Sequence, residues 1–206
     1  MVNNLVFDFG AVLVDWNPHH LYDAYFADRQ RADWFLSEIC PYEWNAQCDA
    51  GRPITDITAE RVALFPAWEK EIRMYFDRWC DMMGDGIAGM EELVREYKQY
   101  GYGIWGITNW SGETFPLVRH KYPVFDLLDG YIVSGVEKIL KPDPRIYRLL
   151  LDRYGLKAEE CVFIDDNPDN VAGAEAVGFR GIRFHDAEQL RKELERVLGD
   201  SGASPE

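Results

Sequence analysis

Apolar positions run from Leu5 to Phe7 and again from Phe9 to Val14 around Gly10, with a single carboxylate, Asp8, between them. A near-continuous Val/Leu/Phe run predicts a central strand of a sheet covered on both faces. An ionised carboxylate is costly in an apolar interior, so the strand is expected to end at Asp8 and deliver it to a solvent-accessible crevice. Gly10 then allows the backbone to turn and approach a ligand closely. Taken alone, an Asp that merely opens a turn explains the stretch equally well.

The pattern changes after Asp15-Trp16-Asn17-Pro18. Residues 19–27, 31–39, 54–65 and 68–83 are rich in helix formers and aromatics, punctuated by Pro18, Pro41, Pro53 and Pro66, and no strand is expected among them. From Asp85-Gly86 onward strands and helices alternate. Strands are expected at 102–108, 130–134, 161–164 and 181–184, and helices at 90–100, 113–121, 146–154, 169–177 and 187–198, with Pro144 in a first turn. Alternation of this kind implies a parallel sheet with right-handed crossovers. The expected organisation is a Rossmann-like α/β core, residues 1–15 and 85–198, with a small helical cap at 16–84 inserted after the first strand and a frayed tail at 199–206.

The composition narrows the choice of partners. With 206 residues, 47% hydrophobic and 28% charged, the chain can bury one substantial core. A formal net charge of −14 repels polyanions, which argues against nucleic acid or an anionic membrane as a partner. Cys40, Cys48, Cys80 and Cys161 show no C-x-x-C pair and no zinc-like spacing, which fits free thiols. No basic segment precedes the first strand, and no apolar run nears the roughly 18 residues of a membrane span. A cytoplasmic location is the expectation. Oligomeric state is not legible.

Ligands of open parallel sheets bind outside the carboxyl ends of the strands. Polar groups recur there: Asp8, Thr108-Asn109, Lys141 in the loop after the third strand, and Asp165-Asp166-Asn167. Singly, each is an ordinary cap or loop residue. Together, Asp8, Asp165 and Asp166 crowd like charges that need a cation among them, and Mg2+ suits hard oxygen ligands. Lys141 offers a second positive contact, and Thr108 and Asn109 offer hydrogen-bond donors to the same oxyanion.

Asp8-Phe9-Gly10-Ala11-Val12, Ile107-Thr108-Asn109, Lys141-Pro142 and Phe163-Ile164-Asp165-Asp166-Asn167 with Asn170 resemble the four ordered motifs of the haloacid dehalogenase-like hydrolase superfamily. The resemblance covers about residues 4–198. The helical insertion is similar to the small cap of the dehalogenase and sugar-phosphatase branch. Within it, Asp15-Trp16-Asn17-Pro18, Thr108-Asn109-Trp110-Ser111 and the segment 141–147 resemble a bacterial group of phosphatase-like proteins.

The resemblance implies Mg2+-dependent hydrolysis of a small phosphorylated metabolite, with sugar phosphates as one class, through an aspartyl-phosphate on Asp8. Thr108 and Lys141 would hold the phosphoryl group. Asp8, the carbonyl of Gly10 and Asp166 would bind the metal, Asp165 helping directly or through water, with Asn170 bracing the metal loop. Asn109 would orient substrate, and Trp16, Trp44 and Trp110 are candidate lining residues. One position breaks the pattern. Phosphatases of this superfamily mostly carry a second Asp, a general acid and base, where this chain has Gly10, and such catalysis is typically worth about 10²- to 10⁴-fold. A slow enzyme, a good leaving group or a substitute acid would each accommodate the loss. His19, His20 and Asp15 are the nearby candidates for that acid. Two other readings share the motifs: a metal-free 2-haloacid dehalogenase, disfavoured by the Asp165-Asp166 pair, and a catalytically weak phospho-ligand-binding homologue.

Overall fold

Continuous burial along the first strand decides the architecture. A computed structural model describes residues 1–199. In β1 (Asn4–Phe7), Leu5 and Phe7 pack into one apolar cluster and Val6 into another, so both faces of the strand are covered. The chain turns back through Phe9, whose carbonyl accepts from the Leu13 and Val14 N–H groups, into β2 (Val14–Trp16). Five helices follow: α1 (His19–Phe26), α2 (Arg29–Trp34), α3 (Tyr42–Asp49), α4 (Ile54–Leu64) and α5 (Glu69–Asp77). They lead into β3 (Met83–Gly86), which pairs antiparallel with β2.

The remainder alternates as expected. It runs through α6 (Met90–Gln99), β4 (Gly103–Thr108), α7 (Phe115–Val118), β5 (Gly130–Val133), α8 (Ser134–Glu137), α9 (Pro144–Tyr154), β6 (Cys161–Asp165), α10 (Pro168–Glu175), β7 (Arg180–Arg183) and α11 (Ala187–Gly199). The five long-range strands form one parallel sheet in the order β5-β4-β1-β6-β7. This is the predicted Rossmann-like α/β fold. β1 lies at the centre with β4 on one side and β6 on the other, so the strand order reverses at β1 and opens a crevice above its carboxyl end. Gly106 in β4 leaves room for the Phe9 ring, which a side chain there would strike.

Several local expectations are corrected. The region 16–84 was expected to hold no strand, yet β2 and β3 form a short ladder at its two ends. They are too short, and β3 too rich in glycine, to show a period. The helix expected over 68–83 divides into α5, a 3-10 turn at Trp79–Met82 and β3, and the one expected over 113–121 contracts to α7 followed by a 3-10 turn. The helix expected over 31–39 starts at Arg29 and passes into a π-helical stretch at Phe35–Ile39, while α3 was not anticipated. Of the expected tail, Gly199 is the last residue of α11 and 200–206 lie outside the described residues. No helix among the described residues is long and apolar enough to cross a membrane.

Candidate active site

The carboxyl ends of β1, β4 and β6 carry Asp8, Thr108 and Asp165, and the loop before α9 brings Lys141 among them. Lys141 Nζ lies 2.9 Å from Asp8 Oδ1 and 2.7 Å from Asp165 Oδ2, and it also donates to the Ile107 carbonyl at 2.9 Å. The side chains of Lys141 and Asp165 are fully buried, and that of Asp8 is 13% exposed. Burial alone would lower the Lys141 pKa, but Asp8 and Asp165 together outweigh it and raise it above the ordinary lysine value. The ammonium is therefore a fixed cation at neutral pH.

The carboxylates answer differently. Burial pushes Asp8 up to about 7, with Lys141 pulling it down and Asp165 pushing it further up. Asp166, at the solvent side, is also raised, by burial first and by Asp165 second. One oxygen from each of Asp8, Asp165 and Asp166 lies within 4.8 Å of the others. One lysine does not neutralise three carboxylates, so a hard divalent cation fits this donor set and would return Asp8 and Asp166 to their charged forms.

Hydrogen bonds show what two of these side chains hold in place. Asp165 accepts from Lys141, from the Asn167 N–H at 2.9 Å and from Asn170 Nδ2 at 3.1 Å to both oxygens, so its lone pairs are largely committed. It holds Lys141 in place while one of its oxygens stands in the carboxylate cluster. The Asn109 amide, expected to orient substrate, borders the cavity and accepts from the Lys141 N–H at 2.8 Å and donates to the Lys141 carbonyl at 3.0 Å, fixing the lysine backbone. Asn167 caps α10 by accepting from the Asp169 N–H, which anchors the loop carrying Asp166.

Above this centre lies a cavity of about 600 Å³. It is lined by Asp8, Gly10, Thr108, Lys141 and Asp166 from the sheet side, by Trp16, Trp79 and Trp110, and by one face of α3. Trp16 and Trp110 thus stand where they were expected. Trp44 does not: its indole donates to the Ile57 carbonyl at 3.1 Å and packs on Tyr75 and Phe76, so it is core. The candidate substitute acids also face elsewhere. His20 pairs with Asp15 at 2.7 Å and His19 with Asp23 at 2.8 Å, and none of His19, His20 and Asp15 lines the cavity.

Sequence reasoning missed Trp79, Asn45 and Asp49. Asp49, the last residue of α3, is 3% exposed yet borders the cavity. Burial raises its pKa to about 7, opposed by a hydrogen bond from the Ser111 backbone. An acid whose folded pKa exceeds its unfolded value contributes stability below the unfolded value and loses it as pH rises through the folded one. Asp49→Asn, which cannot ionise, is therefore expected to gain on the native protein by about 4 kcal/mol between pH 4 and pH 8. Thermal melts of both proteins across that range check it, and a pH-independent difference contradicts it.

The sequence and the fold are shared with known proteins. A family model described as haloacid dehalogenase-like hydrolase matches residues 5–178. A sesquiterpene phosphatase of Aspergillus oryzae is 29% identical over 197 residues, covering 94% of this chain and 95% of that protein. A haloacid dehalogenase-family enzyme of Bacteroides thetaiotaomicron, solved with magnesium and inorganic phosphate, superposes with a TM-score of 0.71 at 18% identity, covering 91% of this chain and 96% of that one. An L-2-haloacid dehalogenase of Xanthobacter autotrophicus with chloropropionic acid covalently bound gives 0.64 at 17% identity, covering 98% and 85%. At these identities the two solved structures speak for the fold.

Proposed function

Because the chain belongs to the haloacid dehalogenase-like hydrolases, we propose that it hydrolyses small phosphate monoesters in a Mg2+-dependent reaction, through a phosphoryl group carried transiently on Asp8. Residues 1–15 and 85–198 act as the catalytic core and 16–84 as a cap over it. The observation that carries this reading is Lys141, a buried cation bridging Asp8 and Asp165 beside a half-open carboxylate pair. A haloacid needs no such cluster. The phosphatase relative along nearly the whole chain supports the same choice.

In this reading an Asp8 carboxylate oxygen attacks phosphorus in line with the ester oxygen. The Lys141 ammonium and the Thr108 hydroxyl hold the phosphoryl oxygens, whose charge they meet in a site shielded from bulk water. Asp165, Asn170 and Asn109 keep Lys141 from following the substrate out. Asp8, Asp166 and the Gly10 carbonyl are the groups that would hold Mg2+, with Asp165 behind them. When bound, the metal screens nucleophile and phosphate from one another. The aromatic walls built by Trp16, Trp79 and Trp110 would receive the organic part of the ester. The four free cysteines suit a reducing compartment, and we place the protein in the cytoplasm on that ground.

Phosphate release from p-nitrophenyl phosphate is expected with Mg2+, to be lost with a chelator and to return on adding Mg2+ back. Halide release from 2-haloacids in the presence of chelator, with no phosphate release under any condition, would instead identify a dehalogenase.

A further inference from the structure

We propose that Asp49, from the inserted helices, is the acid that protonates the leaving oxygen and the base that then receives the proton of the attacking water. The inference rests on the phosphate-ester reading and assigns it the proton carrier that position 10 lacks. An ester with an alkoxide leaving group needs a proton donor, and the groups around Asp8 are otherwise engaged. Lys141 is held by three acceptors, Asp165 by its donors, and Asp166 stands in the carboxylate cluster. Gly10 offers no side chain, and a Cβ built there would meet nothing within 4 Å.

Asp49 is tied to the catalytic face despite its place in the helical segment. Its carboxylate accepts from the backbone of Ser111, three residues beyond Thr108. Its carbonyl accepts from the Ser134 hydroxyl at 2.6 Å, at the end of β5, and Ser134 in turn accepts from the Trp110 N–H. The end of α3 is thereby fixed to the loops that carry the phosphate-binding groups. Among the described residues Asp49 has no cationic partner, and it also accepts from Asn45 Nδ2 at 3.3 Å.

The surroundings of Asp49 on α3 are buried and polar. Among the described residues, five buried side-chain polar atoms have no hydrogen-bond partner, and three of them belong to residues lining this cavity: Asn45 Oδ1, Trp16 Nε1 and Trp79 Nε1. Asp49 stands beside the unpaired acceptor, one turn along α3. The titratable groups that sense it, Tyr42 and Cys48 on α3 and Tyr75 on α5, are all held above their ordinary values and stay neutral where Asp49 changes charge.

The protons balance over two steps. Asp8 forms its bond to phosphorus as the ester P–O bond breaks, and the leaving oxygen takes the Asp49 proton. Water then attacks phosphorus, its proton passes to the Asp49 carboxylate, and the Asp8–phosphorus bond breaks to give inorganic phosphate and both starting groups.

The test is Asp49→Asn against a series of phosphate monoesters. The kcat/KM for phenyl and alkyl phosphates, which reports transfer of the phosphoryl group to Asp8, is expected to fall by on the order of 10²-fold, and that for p-nitrophenyl phosphate, whose leaving group needs no proton, by less than about threefold, while kcat falls for every ester because the attack of water is shared. Gly10→Asp in the Asp49→Asn background is expected to recover part of the phenyl phosphate rate. An equal loss of kcat/KM for all esters, or no loss, overturns the proposal. If Asp49→Asn fails to fold, the native enzyme decides. Its kcat/KM with phenyl phosphate should decline on the alkaline side of about pH 7 where that with p-nitrophenyl phosphate does not, and superimposable profiles of kcat/KM overturn the proposal. A native protein that releases phosphate from no ester would remove the phosphatase reading itself.

Discussion

Asp8→Asn is expected to lower p-nitrophenyl phosphate hydrolysis by at least about 10⁴-fold, the scale on which loss of a nucleophile is measured in other covalent catalysts. An amide keeps the shape of the side chain and the hydrogen bond from the Phe9 N–H, 2.6 Å in the native protein, but it cannot form the acyl phosphate. The loss should come without unfolding. Burial already raises the Asp8 carboxyl to about 7, so replacing it by a neutral group removes a charge that the interior resists. Steady-state kinetics with a thermal melt of the same sample check both halves. Retention of more than a few per cent of activity would mean that another group attacks phosphorus.

Lys141→Met should damage the fold as well as the chemistry. Methionine matches the volume but leaves the fully buried Asp165 and the nearly buried Asp8 facing one another without their cation. Removing one partner of a buried ion pair costs about 3–5 kcal/mol. For a chain of this size that corresponds to a melting temperature lower by about 10 °C. The sign of the pH dependence separates charge from packing. Protonation relieves an unpaired carboxylate, so the loss should be smaller at pH 5 than at pH 8. Equal losses at both values would assign the damage to packing. Phosphatase activity should vanish at either pH, since no other buried cation faces Asp8 among the described residues.

How much of this was legible depended on where chemistry and periodicity coincide. The β1 run, the β4 run ending in Thr108 and the β6 run ending in Asp165 announce themselves because a doubly covered strand must be apolar and must stop where a charge begins. Asp8, Thr108, Lys141 and Asp166 could therefore be placed at one crevice before any coordinates. The order of the strands could not, since nothing local in β1 says that β4 and β6 flank it. β2 and β3 are too short to carry a pattern.

The inserted helices were the least readable part. α3 carries Trp44 and Cys48 into the core and turns Asn45 and Asp49 to the cavity, so four buried residues of mixed polarity erase the apolar stripe. Two buried polar residues at i and i+4 beside a buried aromatic were the signal available, and they look in one dimension like an ordinary helix end. Trp44 was misassigned for the same reason: an indole's apolar body serves core and pocket equally, and only the Ile57 carbonyl at its N–H shows which. The hydrogen bonds of Asn109 and Asp165 were not legible. Their partners are backbone and lysine atoms whose positions no sequence displays.

The central claim is that phosphorus becomes bonded to Asp8. Mixing the Mg2+-loaded enzyme with p-nitrophenyl phosphate, quenching in acid within the first turnover and mass-analysing the peptides tests it directly. The predicted result is one added phosphoryl group on the peptide containing Asp8, absent from Asp8→Asn. Turnover with no such adduct at any quench time, or an adduct on a different peptide, would contradict it.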